Sequence, residues 1–563
     1  MATAVIDTPL GHPARVDRVL TVIGAALAAS CLVLLAALTV RDRPRPAALV
    51  ERMSALWTDP PGSWAAGILG TILTIPLLGL YSPVLLYDAD SARMVSAVSH
   101  VREHGIDFLL ETQDNLVPHL LLGPAVALGG LAGAKLLTIA TLQALAAVIA
   151  YVTHRVTGSM LGALSAVLAL VAMPPVVARG GFVPMYPTML ALGYLGGWLS
   201  YLAITQRHRR WWLAAGAGAC LALTPEAQAV GLIFLGAPVL LMVFAPSWRA
   251  GLTGLARIYL FVGLVSIPRL AVNTAVGGFE RMTSYRTDYW ITQGYVRRIQ
   301  SEFWQYSGID EPVGNYLTRL PGRFADTLGT EGQIVLGLGL LAWLLLCRGR
   351  GRVFVLGVVS AMVLAVTIKQ VPPFPRYYSP LWPGIALLVG VGVAELARRR
   401  ALLARAVVVV VLPVLVLLGA SSYTTVVHEQ DERRALIEDG PYHELAGLVD
   451  DGKGVVGARS HALVNVTAEI PTWGGQFLSE DEYSTYLTWP SDDSVIEMME
   501  RHDIGWVLVH PNRQLEIDYH NTWLIPARGL PARHVDRVAA SPQFCPVAEI
   551  GGFRLYRLGG CPR

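Results

Sequence analysis

Charge is scarce in this chain. Only 15% of its 563 residues are charged, against 53% hydrophobic. So little charge, with so many apolar runs of bilayer-crossing length, excludes an ordinary soluble protein and predicts a polytopic α-helical membrane protein. Lysine is rarer still: Lys135, Lys369 and Lys453 stand against 41 arginines. That skew reads as a GC-rich genome, and no nucleic-acid partner is expected. Cysteine is limited to five residues. Cys31, Cys220 and Cys347 lie in apolar runs and read as packed thiols. Cys545 and Cys561 read either as a disulfide, if their region lies outside the cytoplasm, or as two free thiols. The GxGxxG at Gly452 to Gly457 runs into the strand-like Val455 to Ala458 and does not open a helix after a strand, and no P-loop or HExxH occurs, so nucleotide binding and zinc hydrolysis have no support. The first apolar run, 19–40, lacks a clean small-residue cleavage site and reads as a retained span.

What is present is a series of about twelve candidate spans. After 19–40 come 64–86, 133–153, 158–178, 183–204, 211–224, 227–245, 254–275, 332–347, 353–369, 377–396 and 403–420. Residues 421–563 differ, with 21 acidic and 12 basic residues against 20 and 32 in the rest. The division expected is an N-terminal segment 1–63 with one extra helix, a membrane module 64–420, and a soluble α/β domain 421–563. Arginine placement sets the orientation. The short basic loops 206–210, 348–352 and 398–400 should be cytoplasmic. That places the long aromatic loop 276–331, the loop near 370–376 and the C-terminal domain outside. The count holds only if 116–131, short and bearing Pro118 and Pro124, is juxtamembrane or re-entrant.

Counting back also places an acidic pair outside. Asp88 and Asp90 sit where the span 64–86 ends and a helix of mixed polarity, 91–104, begins. Carboxylates at the edge of hydrocarbon are costly and tend to mark function. In the C-terminal region Val455-Val456-Gly457-Ala458, Trp506-Val507-Leu508-Val509 and Phe553 to Leu558 read as strands. Ser494 to His502 reads as a helix, with Ser491 or Asp492 near its start. Trp473, Tyr483, Tyr486 and Trp489 read either as platforms for sugar rings or as ordinary core aromatics.

In order, these pieces resemble the polytopic GT-C membrane glycosyltransferases that use polyprenyl-phosphate sugars. Protein O-mannosyltransferases, lipid A aminoarabinose transferases and actinobacterial arabinofuranosyltransferases belong to that family. The motifs are Tyr87-Asp88-Ala89-Asp90-Ser91-Ala92-Arg93, then Val117-Pro118-His119-Leu120, then Trp211 to Gly216 leading to Leu223-Thr224-Pro225-Glu226. Last comes Arg376-Tyr377-Tyr378-Ser379-Pro380-Leu381-Trp382-Pro383. Departures exist too. The family's first motif often reads Asp-Glu. A second acidic residue usual before a later span has no counterpart in Phe182 to Thr188. The hairpin tip, often lysine, is Glu226, and the basic residue often found before the juxtamembrane proline is Val117.

The resemblance implies transfer of a sugar from a polyprenyl-phosphate donor to a cell-envelope glycan, lipid or protein acceptor, with inversion. It implies a plasma (inner) membrane enzyme whose C-terminal domain is extracytoplasmic. Asp90 aligns as the base and Asp88 as its neighbour; the alternative for either is a helix N-cap. A divalent cation, Mg or Mn, would sit on Asp88 and Asp90 if one is used. Arg376, with Lys369 and Tyr377, is the candidate for the lipid phosphate; snorkelling to headgroups is the alternative for the two cations. His119, Glu226 and Arg93 are candidate cavity-lining residues. A polyprenyl-linked sugar transporter or flippase, or a non-catalytic envelope assembly protein, are the rival readings.

Overall fold

The computed structural model describes residues 61–75, 116–180, 185–205, 211–281, 328–341, 375–399, 407–438, 441–449, 453–457, 472–473, 489–509 and 531–559, with a few isolated positions. Expectations for 19–40, 276–331 and 353–369 fall wholly or mostly outside them. Among the described residues five helices are long and apolar enough to cross a membrane: Ala132–Thr157, Met185–Thr205, Trp248–Ala271, Tyr378–Arg398 and Val409–His428.

The body is built of helices labelled α1 (Pro61–Leu73), α2 (Leu116–Thr157), α3 (Met160–Val171), α4 (Pro174–Gly180), α5 (Met185–Thr205), α6 (Trp211–Ala227), α7 (Trp248–Arg281), α8 (Leu328–Leu341), α9 (Trp382–Arg399) and α10 (Leu412–Glu438). Successive elements lie side by side, α1 on α2, α5 on α6 and α6 on α7, while α9 returns to pack on α3. Between apolar helices in lipid no hydrophobic difference drives association, so close approach of small residues must supply it. Gly162 and Gly390 show this: a Cβ on either would lie 2.7 Å from the other's carbonyl oxygen.

α2 is two helices. Gly130, with φ 57° and ψ −142°, breaks it, and the arms fold back until the Ala125 carbonyl fills the place of a Gly133 side chain, 1.9 Å from a Cβ there. The first arm reaches about 20 Å, short of the ~30 Å hydrocarbon layer. The second arm is the span Ala132–Thr157.

Side-chain contacts tie the helix ends into two sets. At one end a Cβ on Gly158 would lie 4.0 Å from Arg398 Nη2, and one on Gly254 would lie 3.2 Å from Ile204; this end adjoins the basic loops. At the other end Ser422 Oγ donates to the Ala172 carbonyl at 2.7 Å and Ser421 Oγ to Glu331 at 2.8 Å. Tyr194 OH, on α5, donates to the Pro380 carbonyl at 2.7 Å. This second end is the one that positive-inside counting assigns to the exterior.

α10 does not stop at 420 but continues to Glu438 and leads to α11 (Pro441–Leu448). Beyond lies a five-stranded sheet in the order β2-β1-β3-β5-β4. Its strands are β1 (Gly454–Gly457), β2 (Thr472–Trp473), β3 (Ile504–Val509), β4 (Phe544–Ile550) and β5 (Phe553–Leu558). β1 pairs in parallel with β2 and β3, and β5 runs antiparallel to β3 and β4. Two faces follow from the strand period. Val455, Trp506, Leu508, Phe553 and Leu555 join Leu445 of α11 in one continuous core with the membrane body. Val456, Val507, Val509 and Tyr556 face α12 (Asp492–Arg501) and α13 (Pro531–Ala540), through Val495, Met498, Met499 and Val538. Ser491 caps α12, its Oγ accepting from the Ser494 N–H at 3.2 Å. Trp489 packs edge-on against Phe544 and donates from Nε1 to Asp492, so it serves the core and is no sugar platform. Cys545 and Cys561 form a disulfide that ties β4 to the residues after β5.

Candidate active site

Four ionisable side chains are buried at the second, exterior-assigned end of the body. Lys135 lies one turn into the second arm of α2 and is 1% exposed. His119, on the first arm, is 5% exposed. Glu226 closes α6, and its Oε2 lies 3.6 Å from Arg269 Nε on α7; the two side chains are 11% and 10% exposed. Two residues after Glu226, Gln228 Nε2 donates to Tyr186 OH at 3.3 Å across to the start of α5.

The local sequence explains how Glu226 and Gln228 are placed at this end. Pro225 ends the regular ladder of α6, and a tight 3-10 segment, Ala229–Gly236, folds back on it. A Cβ on Gly231 would lie 2.4 Å from the Thr224 carbonyl, so only glycine allows the reversal. The apex of that reversal carries Glu226 and Gln228. Burial of a lysine in a span costs about 3 kcal/mol, and such residues usually line a pathway or a site. A buried ion pair is no better for stability than an apolar pair of equal volume. Neither group therefore earns its place through folding alone.

The Arg376 motif is held close by. Pro375–Leu381 forms a short 3-10 turn leading into α9, and behind it Tyr378, Ser379 and Trp382 are fully buried. With the Tyr194–Pro380 hydrogen bond, this plug fixes the backbone of Arg376 and Tyr377 at the same end. Their side chains, and the whole of Asp88, Asp90, Arg93 and Lys369, lie outside the described residues. Near Asp90, Val95 is helical and buried in the body's core and Val98 packs against it, one turn apart on one face.

Of the candidates from sequence, His119 and Glu226 stand at this end. Lys135 and Arg269 are additions from the structure. Lys135 was visible as a lone lysine in an apolar run. The signal for Arg269 was a charge directly after an in-helix proline, Pro268, mirroring Pro225-Glu226. Among the described residues no three His, Cys, Asp or Glu side chains converge as a metal site.

No family model matches the sequence, and no curated protein matches it. Solved structures do match. ArnT from Cupriavidus metallidurans, bound to undecaprenyl phosphate, superposes with TM-score 0.57 at 14% identity, covering 87% of this chain and 97% of that one. Its apo state gives 0.51 at 12% identity, with the same coverage. The archaeal oligosaccharyltransferase AglB from Archaeoglobus fulgidus reaches 0.49 at 11% identity over 81% of this chain and 70% of its own, below what establishes a common fold. The chain thus has the fold of ArnT, the GT-C fold that its motifs resemble.

Proposed function

We propose that this protein is a membrane glycosyltransferase that moves a sugar from a polyprenyl-phosphate carrier to an acceptor hydroxyl on the extracytoplasmic side of the plasma (inner) membrane. The observation that carries the reading is the burial of Lys135, Arg269, Glu226 and His119 at one end of a body with the ArnT fold. The donor has a long apolar tail and an anionic head. A lipid-embedded body with cations buried at one edge suits both parts of it.

The chemistry is a single displacement. The Asp90 carboxylate accepts the proton of the acceptor hydroxyl as its oxygen bonds to the anomeric carbon. The bond from that carbon to the phosphate oxygen breaks, and its electron pair stays on the phosphate. Lys135, Arg269 and Arg376 offset the negative charge that grows there. Asp88 orients the acceptor. Exclusion of water by the apolar body strengthens each of these interactions. The Cys545–Cys561 disulfide supports an oxidising location for the C-terminal domain, in agreement with arginine placement.

The test is an assay of the purified protein in lipid nanodiscs with a panel of polyprenyl-phosphate sugars and an envelope extract. Transfer releases free polyprenyl phosphate in step with acceptor glycosylation, and Asp90→Asn stops both while the protein stays folded. Full turnover by that variant removes Asp90 as the base.

A further inference from the structure

Glu226 and Arg269 each directly follow a proline inside a helix. Proline removes one backbone hydrogen bond from the ladder, and Thr224 Oγ1 takes up the Leu221 carbonyl that Pro225 leaves. The two side chains meet at 3.6 Å, beyond the roughly 2.7–2.9 Å of a charge-assisted hydrogen bond. The carboxylate therefore lies against the guanidinium at a loose distance, nine-tenths buried.

The charge on the carrier changes during turnover. The donor is a phosphodiester with one negative charge. Cleavage leaves a phosphomonoester whose second pKa is near 6, so the product is mostly dianionic at neutral pH. A site built of cations alone holds the dianion more tightly than the donor, and turnover then stalls on product.

We infer that Glu226 is a positioning and release residue, holding Arg269 toward the carrier phosphate and repelling that phosphate once it bears a second charge. This rests on the donor reading above and adds a role that the reading does not require. At an effective dielectric of about 20, one carboxylate about 12 Å from the phosphate shifts the balance by roughly tenfold, and a nearer one by more.

Product inhibition is the readout that a merely structural role would not move. With the full-length protein in nanodiscs, Glu226→Gln should lower the inhibition constant of free polyprenyl phosphate by roughly tenfold while the donor KM changes much less. Glu226→Asp, which keeps the charge, should retain the ratio of the unmodified protein. Equal changes in both constants, or none, would overturn the inference. A second measurement needs no variant. The unmodified protein should bind polyprenyl phosphate no more tightly than its monoanionic methyl diester, and a strong dianion preference contradicts the role. If the unmodified protein releases no polyprenyl phosphate from any donor tested, the functional reading fails first. If it releases product but the ratio is unmoved, only the role of Glu226 fails.

Discussion

The membrane body and the C-terminal α/β region, which we propose as a domain, treat charge in opposite ways. In the domain, ion pairs stand at the surface: Arg501 reaches Glu482 at 3.1 Å and Glu497 at 3.0 Å, and Arg554 reaches Glu549 at 2.9 Å. Hydrogen bonding to those glutamates raises the pKa of both arginines. Such exposed pairs contribute little to stability. The sheet's buried residues are mainly apolar. The body instead buries Lys135, Glu226 and Arg269, where charge is expensive. The domain leaves its ion pairs at the surface, whereas the body buries charge: Lys135, Glu226 and Arg269 at the exterior-assigned end and Arg257 against Trp211 at the other. The difference teaches where to look for function, and each substitution below is a way to break it or sharpen it.

The largest effect belongs to the base. Asp90→Asn should lower transfer by about a thousandfold, within the range for removing a general base, with normal membrane expression and normal elution in detergent. A smaller loss for Asp88→Asn, measured in the same assay, would separate orientation from proton transfer.

Lys135 comes next. Lys135→Met keeps the length of the side chain and removes its charge, so packing of the second arm of α2 survives. Donor KM should rise by roughly tenfold or more for loss of a buried phosphate contact. Arg501→Gln is the matching change in the domain and should leave both KM and kcat untouched. Equal effects at the two positions would dissolve the contrast between the regions.

Gly390→Leu probes packing without touching charge. The added side chain would meet Ala166 and the Gly162 carbonyl at under 3 Å. Overpacking of this kind costs about 1–3 kcal/mol, read as a lower midpoint in a detergent thermal melt. The smallest effect on activity should come from Cys561→Ser. Loss of the disulfide should weaken the domain by about 2–4 kcal/mol on the chain-entropy view, seen as faster proteolysis of residues beyond Glu438, with donor KM unchanged.

Much of this architecture was readable beforehand because hydropathy reports burial in lipid directly. The strands around Val455, Trp506 and Leu555 and the helix starting near Ser491 were legible from strand-like runs and capping residues. β4 was not: Cys545-Pro546 interrupts the alternation, and the observed register shift there lets the strand accommodate proline at the sheet's edge. The extent of α10 also escaped notice. Its polar continuation through Thr424 and His428 reads as a loop, yet Val426 is buried in the body's core and holds the helix on course. At the site, Glu226 stood out as a departure from a motif, but its partner lies on another helix. No local pattern links α6 to α7, and only tertiary packing brings Arg269 beside it. Lys135 was visible as a lone lysine, but its place at the site was hidden for a different reason. One cation in a long apolar run still allows a span, and the run does not reveal which face it occupies.

The most direct test of the central claim follows the carrier itself. Nanodiscs holding the protein are given a donor labelled separately in sugar and lipid. The account predicts that the two labels part company, with sugar on an acceptor and free polyprenyl phosphate left behind, and that Lys135→Met weakens this at subsaturating donor. Movement of the intact doubly labelled carrier, with no free phosphate formed, would contradict it.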